Sequence, residues 1–119
     1  MAPTVLIVDD HPSFRATART LLEAEGFEVV GEAEDGESAL SAVRQLHPDV
    51  VLLDVQLPDI DGFAVCQNVC AYGNGRCPAV VLTSSRDASD FGPLVEQSGA
   101  RGFIPKSDLT GEALKELID

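Results

Sequence analysis

The stretch from Val50 to Gly62, VVLLDVQLPDIDG, constrains this chain more than any other. Its first four residues form an apolar run with two β-branched members, too short for a helix and without polar alternation. That is the pattern of a strand buried on both faces of a parallel sheet. The run stops on a carboxylate, Asp54. In an open α/β sheet ligands bind in the crevice at the carboxyl ends of the strands, so an acid ending a central strand stands where chemistry is done. A second run, Val5-Leu6-Ile7-Val8, ends in Asp9 and Asp10. If the two strands lie side by side, three carboxylates converge at one sheet edge. Like charges packed that closely must either raise their pKa values or hold a cation, and the rest of the chain favours the cation.

Strand and helix patterns alternate five times along the chain without an obvious linker. After Val5 to Val8, Pro12 suits the first turn of a helix, with Phe14, Ala18, Leu21 and Leu22 at helical spacing and Gly26 as its stop. Phe27 to Gly31 reads as a weaker, more exposed strand. Asp35 can cap a second helix carrying Ala39, Leu40, Val43 and Leu46, which His47-Pro48 ends. The Val50 strand follows, and Asp61-Gly62 opens a third helix; Asn74-Gly75 marks a turn. Ala79 to Thr83 is a fourth apolar strand, ending in the hydroxyls of Thr83, Ser84 and Ser85. Gly92-Pro93 falls inside the fourth helix or in its first turns, and the apolar face of that helix would be Phe91, Leu94 and Val95. Gly102 to Ile104 is a short fifth strand, and Thr110 caps a last helix with Ala113, Leu114, Leu117 and Ile118. Such alternation predicts one domain over residues 1–119, a parallel sheet with helices on both faces in three layers.

Charge narrows the function. A net charge of −12 over 119 residues repels phosphate backbones and anionic lipid, which argues against direct binding of nucleic acid or membrane by this domain. The start Met-Ala-Pro-Thr has neither a basic segment nor an apolar one behind it, and no apolar stretch approaches a membrane span, so a cytoplasmic protein is expected. Cys66, Cys70 and Cys77 have no zinc or redox spacing, and their odd number fits a reducing compartment. Cys66 and Cys70 lie four residues apart and so could form a metal pair. They fall, however, in the apolar stripe Phe63, Cys66, Val69, Cys70, which favours a core role.

The strand ends together deliver Asp9, Asp10, Asp54, Thr83 and Lys106: three acids, a hydroxyl and an ammonium. Oxygen ligands select a hard cation, and two or three carboxylates with room for water suit magnesium, Mg2+, better than a calcium cage. That set is what phosphoryl transfer needs. The metal and the lysine neutralise charge on the equatorial oxygens while one acid attacks in line.

Over its full length the chain resembles the receiver domain of response regulators in two-component signalling. The match rests on Asp9-Asp10, on Asp54 followed by Pro58, Asp61 and Gly62, and on Thr83, Phe103 and Lys106. The resemblance implies a flavodoxin-like fold with a five-stranded parallel sheet in order 2-1-3-4-5. It implies that Asp54 accepts a phosphoryl group from a phosphohistidine on a sensor histidine kinase or a phosphotransfer protein. Mg2+ would be bound by Asp10 directly, by Asp9 through water, by Asp54 and by the backbone carbonyl of Gln56. Thr83 would close onto one phosphoryl oxygen, Lys106 would pair with another, and Phe103 would turn inward as the threonine moves. The switch would act on the surface of helix four, strand five and helix five, with homodimerisation on activation left open.

Bland roles stand beside these. Asp9 or Asp10 could cap the first helix, Thr83 could pack as a strand residue, Phe103 could be a core ring, and His11 could be a loop residue at the pocket rim. His47 looks structural, and Ser84 and Ser85 could line the loop or modulate hydrolysis. Two alternatives differ in class. A phosphohydrolase with an aspartyl-phosphate intermediate would want a general acid two residues past the nucleophile, where Gln56 stands. A phosphorylation-independent interaction module would not need the intact acid, hydroxyl and lysine set. Two departures from the family pattern matter: Ser107 rather than proline follows the lysine, so a trans bond is expected there, and Gly92-Pro93 makes the fourth helix atypical. The segments DDHPSFR, EVVGEAEDG and GARGFIPKS resemble receivers that precede a helix-turn-helix output, which leaves open a stand-alone receiver or part of a longer regulator.

Overall fold

The structure, a computed structural model, describes residues 2–72, 78–85 and 93–118. The turn expected at Asn74-Gly75, together with Cys77, Phe91 and Gly92, lies outside them, as do the side chains of Cys70 and Leu94. The described chain runs β1 Thr4–Val8, α1 Pro12–Ala24, β2 Glu28–Ala33, α2 Gly36–Leu46, β3 Val50–Asp54, α3 Gly62–Tyr72, β4 Ala79–Ser84, α4 Leu94–Gln97, β5 Gly102–Pro105 and α5 Gly111–Ile118, with a 3-10 turn at Lys106–Asp108 before α5. All strand pairs are parallel, in the order β2-β1-β3-β4-β5 expected for the flavodoxin-like fold.

The two apolar runs are the centre of this sheet. Alternate residues serve opposite faces: Leu6, Val8, Val51 and Leu53 pack with α2 and α3, and Val5, Ile7, Val50 and Leu52 pack with α1 and α5. Covering both faces explains why the runs carry no polar alternation. Register then fixes the site. Val8 pairs with Leu53, so Asp9 follows level with Asp54, and Asp54 itself pairs with Thr83. Thr83 in turn pairs with Ile104, two residues before Lys106.

The helix ends follow the expected chemistry. Asp35 closes a capping box with Ser38, and His47 ends α2 in a left-handed conformation with φ of 46°. The Asp61 carboxylate accepts from the Ala64 N–H at 2.8 Å to open α3, and Thr110 Oγ1 accepts from Ala113 N–H at 3.0 Å in α5. Gly62 is required by space: a Cβ there would stand 2.5 Å from the Asp54 carbonyl oxygen and 2.7 Å from Val55 Cα. The start of α3 is thereby pressed onto the end of β3.

Some boundaries moved. β2 begins at Glu28 and continues to Ala33, two residues past the expected end, because Glu32 and Ala33 pair with Ile7 and Val8 of β1 and the Ala33 carbonyl accepts from Asp9 N–H at 3.0 Å. Phe27, expected within the strand, is a buried ring in the α1/α5 layer. β4 and β5 each run one residue further than expected, to Ser84 and Pro105. The described part of α4 follows Pro93, whose carbonyl accepts from Gln97 N–H at 3.0 Å. The bond between Lys106 and Ser107 is trans.

Candidate functional site

The acids at the ends of β1 and β3 meet as their register requires. Asp9 and Asp54 are buried, while Asp10 and His11 stand at the rim. One ligand atom from each of these four residues lies within 4.8 Å of all the others. Lys106 enters from the end of β5: its Nζ is 2.6 Å from Asp9 Oδ2 and 3.3 Å from Asp54 Oδ2. The other oxygen of Asp54 accepts the Gln56 N–H at 3.0 Å, which holds the carboxylate in place from its own loop.

Charge in this cluster is out of balance. Three carboxylates face one ammonium, leaving a formal surplus of two negative charges. Burial, reinforced by the negative charge of Asp9, raises the Asp54 pKa above the ordinary carboxylate value, although the Gln56 N–H and Lys106 pull the other way. Burial works to lower the Lys106 pKa, but Asp9 and Asp54 together outweigh it and the ammonium is held protonated. Asp9 Oδ2 is buried with no hydrogen-bond donor; its short contact with Lys106 is a charge contact lacking hydrogen-bond geometry. Clustered oxygen ligands with a surplus of two negative charges fit a hard divalent cation.

Each residue singled out by the sequence has a definite place. Thr83 lies at the same sheet edge, buried, but its hydroxyl donates to the Ile104 carbonyl at 2.7 Å and so ties β4 to β5. Phe103, paired with Leu82, is partly buried against the α2/α3 layer, against which Val95 of α4 and Ala100 also pack. Ser84 is buried and Ser85 exposed. His11 is more than a rim residue, since its Nδ1 lies 3.0 Å from Asp9 Oδ1 and 3.0 Å from Asp10 Oδ1. Cys66 is a buried core thiol whose Sγ donates to the Ser98 carbonyl at 3.3 Å, and burial raises its pKa.

Two contributors escaped the sequence reading. Phe14 of α1 lies under Lys106, with Nζ 4.5 Å from the ring centroid, which orients the ammonium by a cation–π contact. Arg15 Nη1 donates to the Asp9 carbonyl at 2.6 Å and braces the backbone of the acid pair. Helical spacing marked Phe14 for the core, and nothing local to residues 14 and 15 signals a lysine about ninety positions away.

The family profile described as "Response regulator receiver domain" matches residues 5–119. This chain belongs to that family. It is 41% identical over 108 residues to the DNA-binding response regulator MtrA of Mycolicibacterium smegmatis, covering 89% of this chain and 45% of that protein. It is 36% identical over 115 residues to the response regulator GacA of Pseudomonas aeruginosa, covering 96% of this chain and 51% of that protein. Among solved structures, the signal receiver domain of the response regulator NarL from Mycobacterium tuberculosis superposes with a TM-score of 0.87 at 34% identity, covering 98% of this chain and 96% of that one. The receiver domain thus spans about half the length of the curated relatives it matches. Receiver domains of two-component systems are phosphorylated by histidine kinases, bind Mg2+ at an acidic pocket, and in transcriptional regulators are generally not enzymes. Among the described residues no helix is long and apolar enough to cross a membrane.

Proposed function

We propose that this receiver accepts a phosphoryl group on Asp54 from the phosphohistidine of a sensor kinase or phosphotransfer protein in the cytoplasm, and that residues 1–119 act as one such domain. The observation that carries this reading is the position of Asp54: a buried carboxylate at a strand end, held through one oxygen by Gln56 and facing Lys106 through the other. An Asp54 oxygen forms a bond to phosphorus as the phosphorus–nitrogen bond to the donor imidazole breaks, and the imidazole leaves with a proton. Asp10, Asp9 through water, Asp54 and the Gln56 carbonyl are the groups that would hold Mg2+. The ion supplies charge neutralisation for the transferring group. Lys106 offers a second cation, its Nζ 3.3 Å from Asp54 Oδ2.

Thr83 supports a switch. To donate to a phosphoryl oxygen its hydroxyl must leave Ile104, giving up a neutral hydrogen bond worth about 1 kcal/mol for a charge-assisted one worth about 1.5–3 kcal/mol. The balance favours the move only when the phosphoryl group is present. Because Ile104 follows Phe103, releasing the tie frees β5 to shift against α4 and α5, the surface on which an output or a second copy would read the change.

Incubation with Mg2+ and a small phosphodonor, followed by mass spectrometry and peptide mapping, tests this. A single adduct on Asp54, lost in Asp54→Asn, is expected. Rapid multiple turnover would favour the phosphohydrolase, and no adduct with any donor would favour an interaction module.

A further inference from the structure

The loop joining β3 to α3, residues 55–61, is fastened to α2 by Asp59. Its Oδ1 accepts the Gly36 N–H at 2.8 Å and the Ile60 N–H of its own loop at 2.9 Å, and its Oδ2 accepts the Glu37 N–H at 3.0 Å. Beside these bonds Ile60 lies against Gly36, where a Cβ would collide with the Ile60 side chain. The Gly36 N–H, then those of Glu37 and Ile60, keep the Asp59 carboxyl below the ordinary value, so the bonds are charge-assisted.

The helix does not need this acid in order to begin. Asp35 accepts the Ser38 N–H at 2.8 Å, and Ser38 Oγ accepts the Asp35 N–H at 3.3 Å, which completes a capping box. The other N–H groups of a helix's first turn can be left to water. The loop gains more from the contact. Asp59 stands three residues after Gln56, and the Gln56 N–H holds Asp54 Oδ1 at 3.0 Å. At the other end of the loop the Gly62 N–H donates to the Val55 carbonyl at 2.7 Å. The contacts thus run from a rigid helix, through Asp59 and the loop, to the carboxylate that the reading above makes the nucleophile.

We propose that Asp59 is a positioning residue for phosphoryl transfer: by fixing the β3–α3 loop to α2 it keeps the Gln56 N–H on Asp54 and so fixes the orientation of the attacking carboxylate. The inference rests on the phosphoacceptor reading. A nucleophile held in one orientation raises the rate of the chemical step and leaves donor binding alone, because the donor touches neither Asp59 nor α2 in this role.

Two measurements on the full chain test the assignment in the wild type, Asp59→Ala, Asp59→Asn and Asp35→Ala. One is phosphorylation by phosphoramidate, a small donor with a phosphorus–nitrogen bond, at saturating Mg2+; the other is amide hydrogen exchange of the unphosphorylated protein without Mg2+. Asp35→Ala is the control, since it weakens the same helix start and leaves the loop attached. In Asp59→Ala the maximal rate is expected to fall about tenfold while the half-saturating donor concentration stays within about twofold, and the Gln56 N–H should exchange about tenfold faster. Asp59→Asn keeps one acceptor oxygen and should lose only about threefold in rate. Asp35→Ala should stay within about twofold of the wild type in both measurements. Equal losses in Asp59→Ala and Asp35→Ala, or an unchanged Gln56 exchange rate in Asp59→Ala, overturn the inference and leave Asp59 a helix cap. Absence of an adduct in the wild type contradicts the phosphoacceptor reading instead; faster Gln56 exchange confined to the Asp59 variants then still supports the anchor, and its absence overturns both.

Discussion

The two edges of the sheet use aspartate in opposite ways. At the edge where β1 and β3 begin, exposed Asp49 is paired with a neighbouring strand: its Oδ2 accepts the Thr4 N–H at 2.9 Å and the Thr4 hydroxyl at 3.1 Å. Its own N–H returns a bond to Thr4 Oγ1 at 2.9 Å, and its carbonyl accepts from Ala79 at the start of β4. At the edge where the same strands end, Asp9 and Asp54 are buried with more negative charge than one lysine can offset. Satisfied polar groups hold a fold together, whereas a buried surplus weakens it and persists where something is to be bound.

The largest expected contrast is chemical. Asp54→Asn should abolish the phosphoryl adduct while Asp49→Asn leaves it intact, read by intact-protein mass; an adduct surviving in Asp54→Asn would erase the distinction between the edges.

Stability should divide with opposite signs. In urea unfolding without divalent ions, Asp49→Ala is expected to cost about 1 kcal/mol through its lost hydrogen bonds. Asp54→Asn should raise the urea midpoint, since it removes a charge that burial disfavours. A destabilised Asp54→Asn would mean that Lys106 satisfies the cluster after all.

The pH dependence sharpens the same point. Burial raises the folded pKa of Asp54, so its ionised form opposes folding above that pKa; stability should increase as pH falls through the raised value toward the ordinary carboxylate range. Asp59 has the opposite sign. The N–H groups of Gly36, then Glu37 and Ile60, lower its pKa, so its contribution is present above the ordinary carboxylate value and lost as pH falls through the lowered one. Stability against pH for Asp54→Asn and Asp59→Asn, each subtracted from the wild type, should therefore slope in opposite directions. Parallel differences would contradict the assignment.

The smallest effect concerns Phe14. Phe14→Leu keeps the apolar volume and removes the ring beneath Lys106, with an expected coupling of about 0.5–1 kcal/mol to Lys106→Met in a double-mutant cycle. No measurable coupling would make the ring a packing residue only.

What was legible in the sequence followed from local pattern. Apolar runs in β1 and β3 named the central strands, and the acids that stop them named the site edge, since a strand buried on both faces leaves little room for another interpretation. Capping by Asp35, Asp61 and Thr110 was legible for the same reason: the bond spans three residues. Contacts distant in sequence were not. The end of β2 fell two residues early because the pairing of Glu32 and Ala33 with Ile7 and Val8 of β1 carries no local signal. The Asp59 carboxylate that joins the β3–α3 loop to the start of α2 spans more than twenty residues and leaves no local trace. Residue type placed Thr83 at the site edge, but its bond to Ile104 depends on strand pairing that composition does not encode.

The most direct test of a phosphoacceptor coupled to a switch is a structure of the protein with Mg2+ and beryllofluoride, a stable mimic of the phosphoryl group. The beryllium should be joined to an Asp54 oxygen, with Thr83 Oγ1 withdrawn from the Ile104 carbonyl and donating to a fluoride while Lys106 contacts another. Beryllofluoride absent from Asp54 with Thr83 still bound to Ile104 would contradict the account.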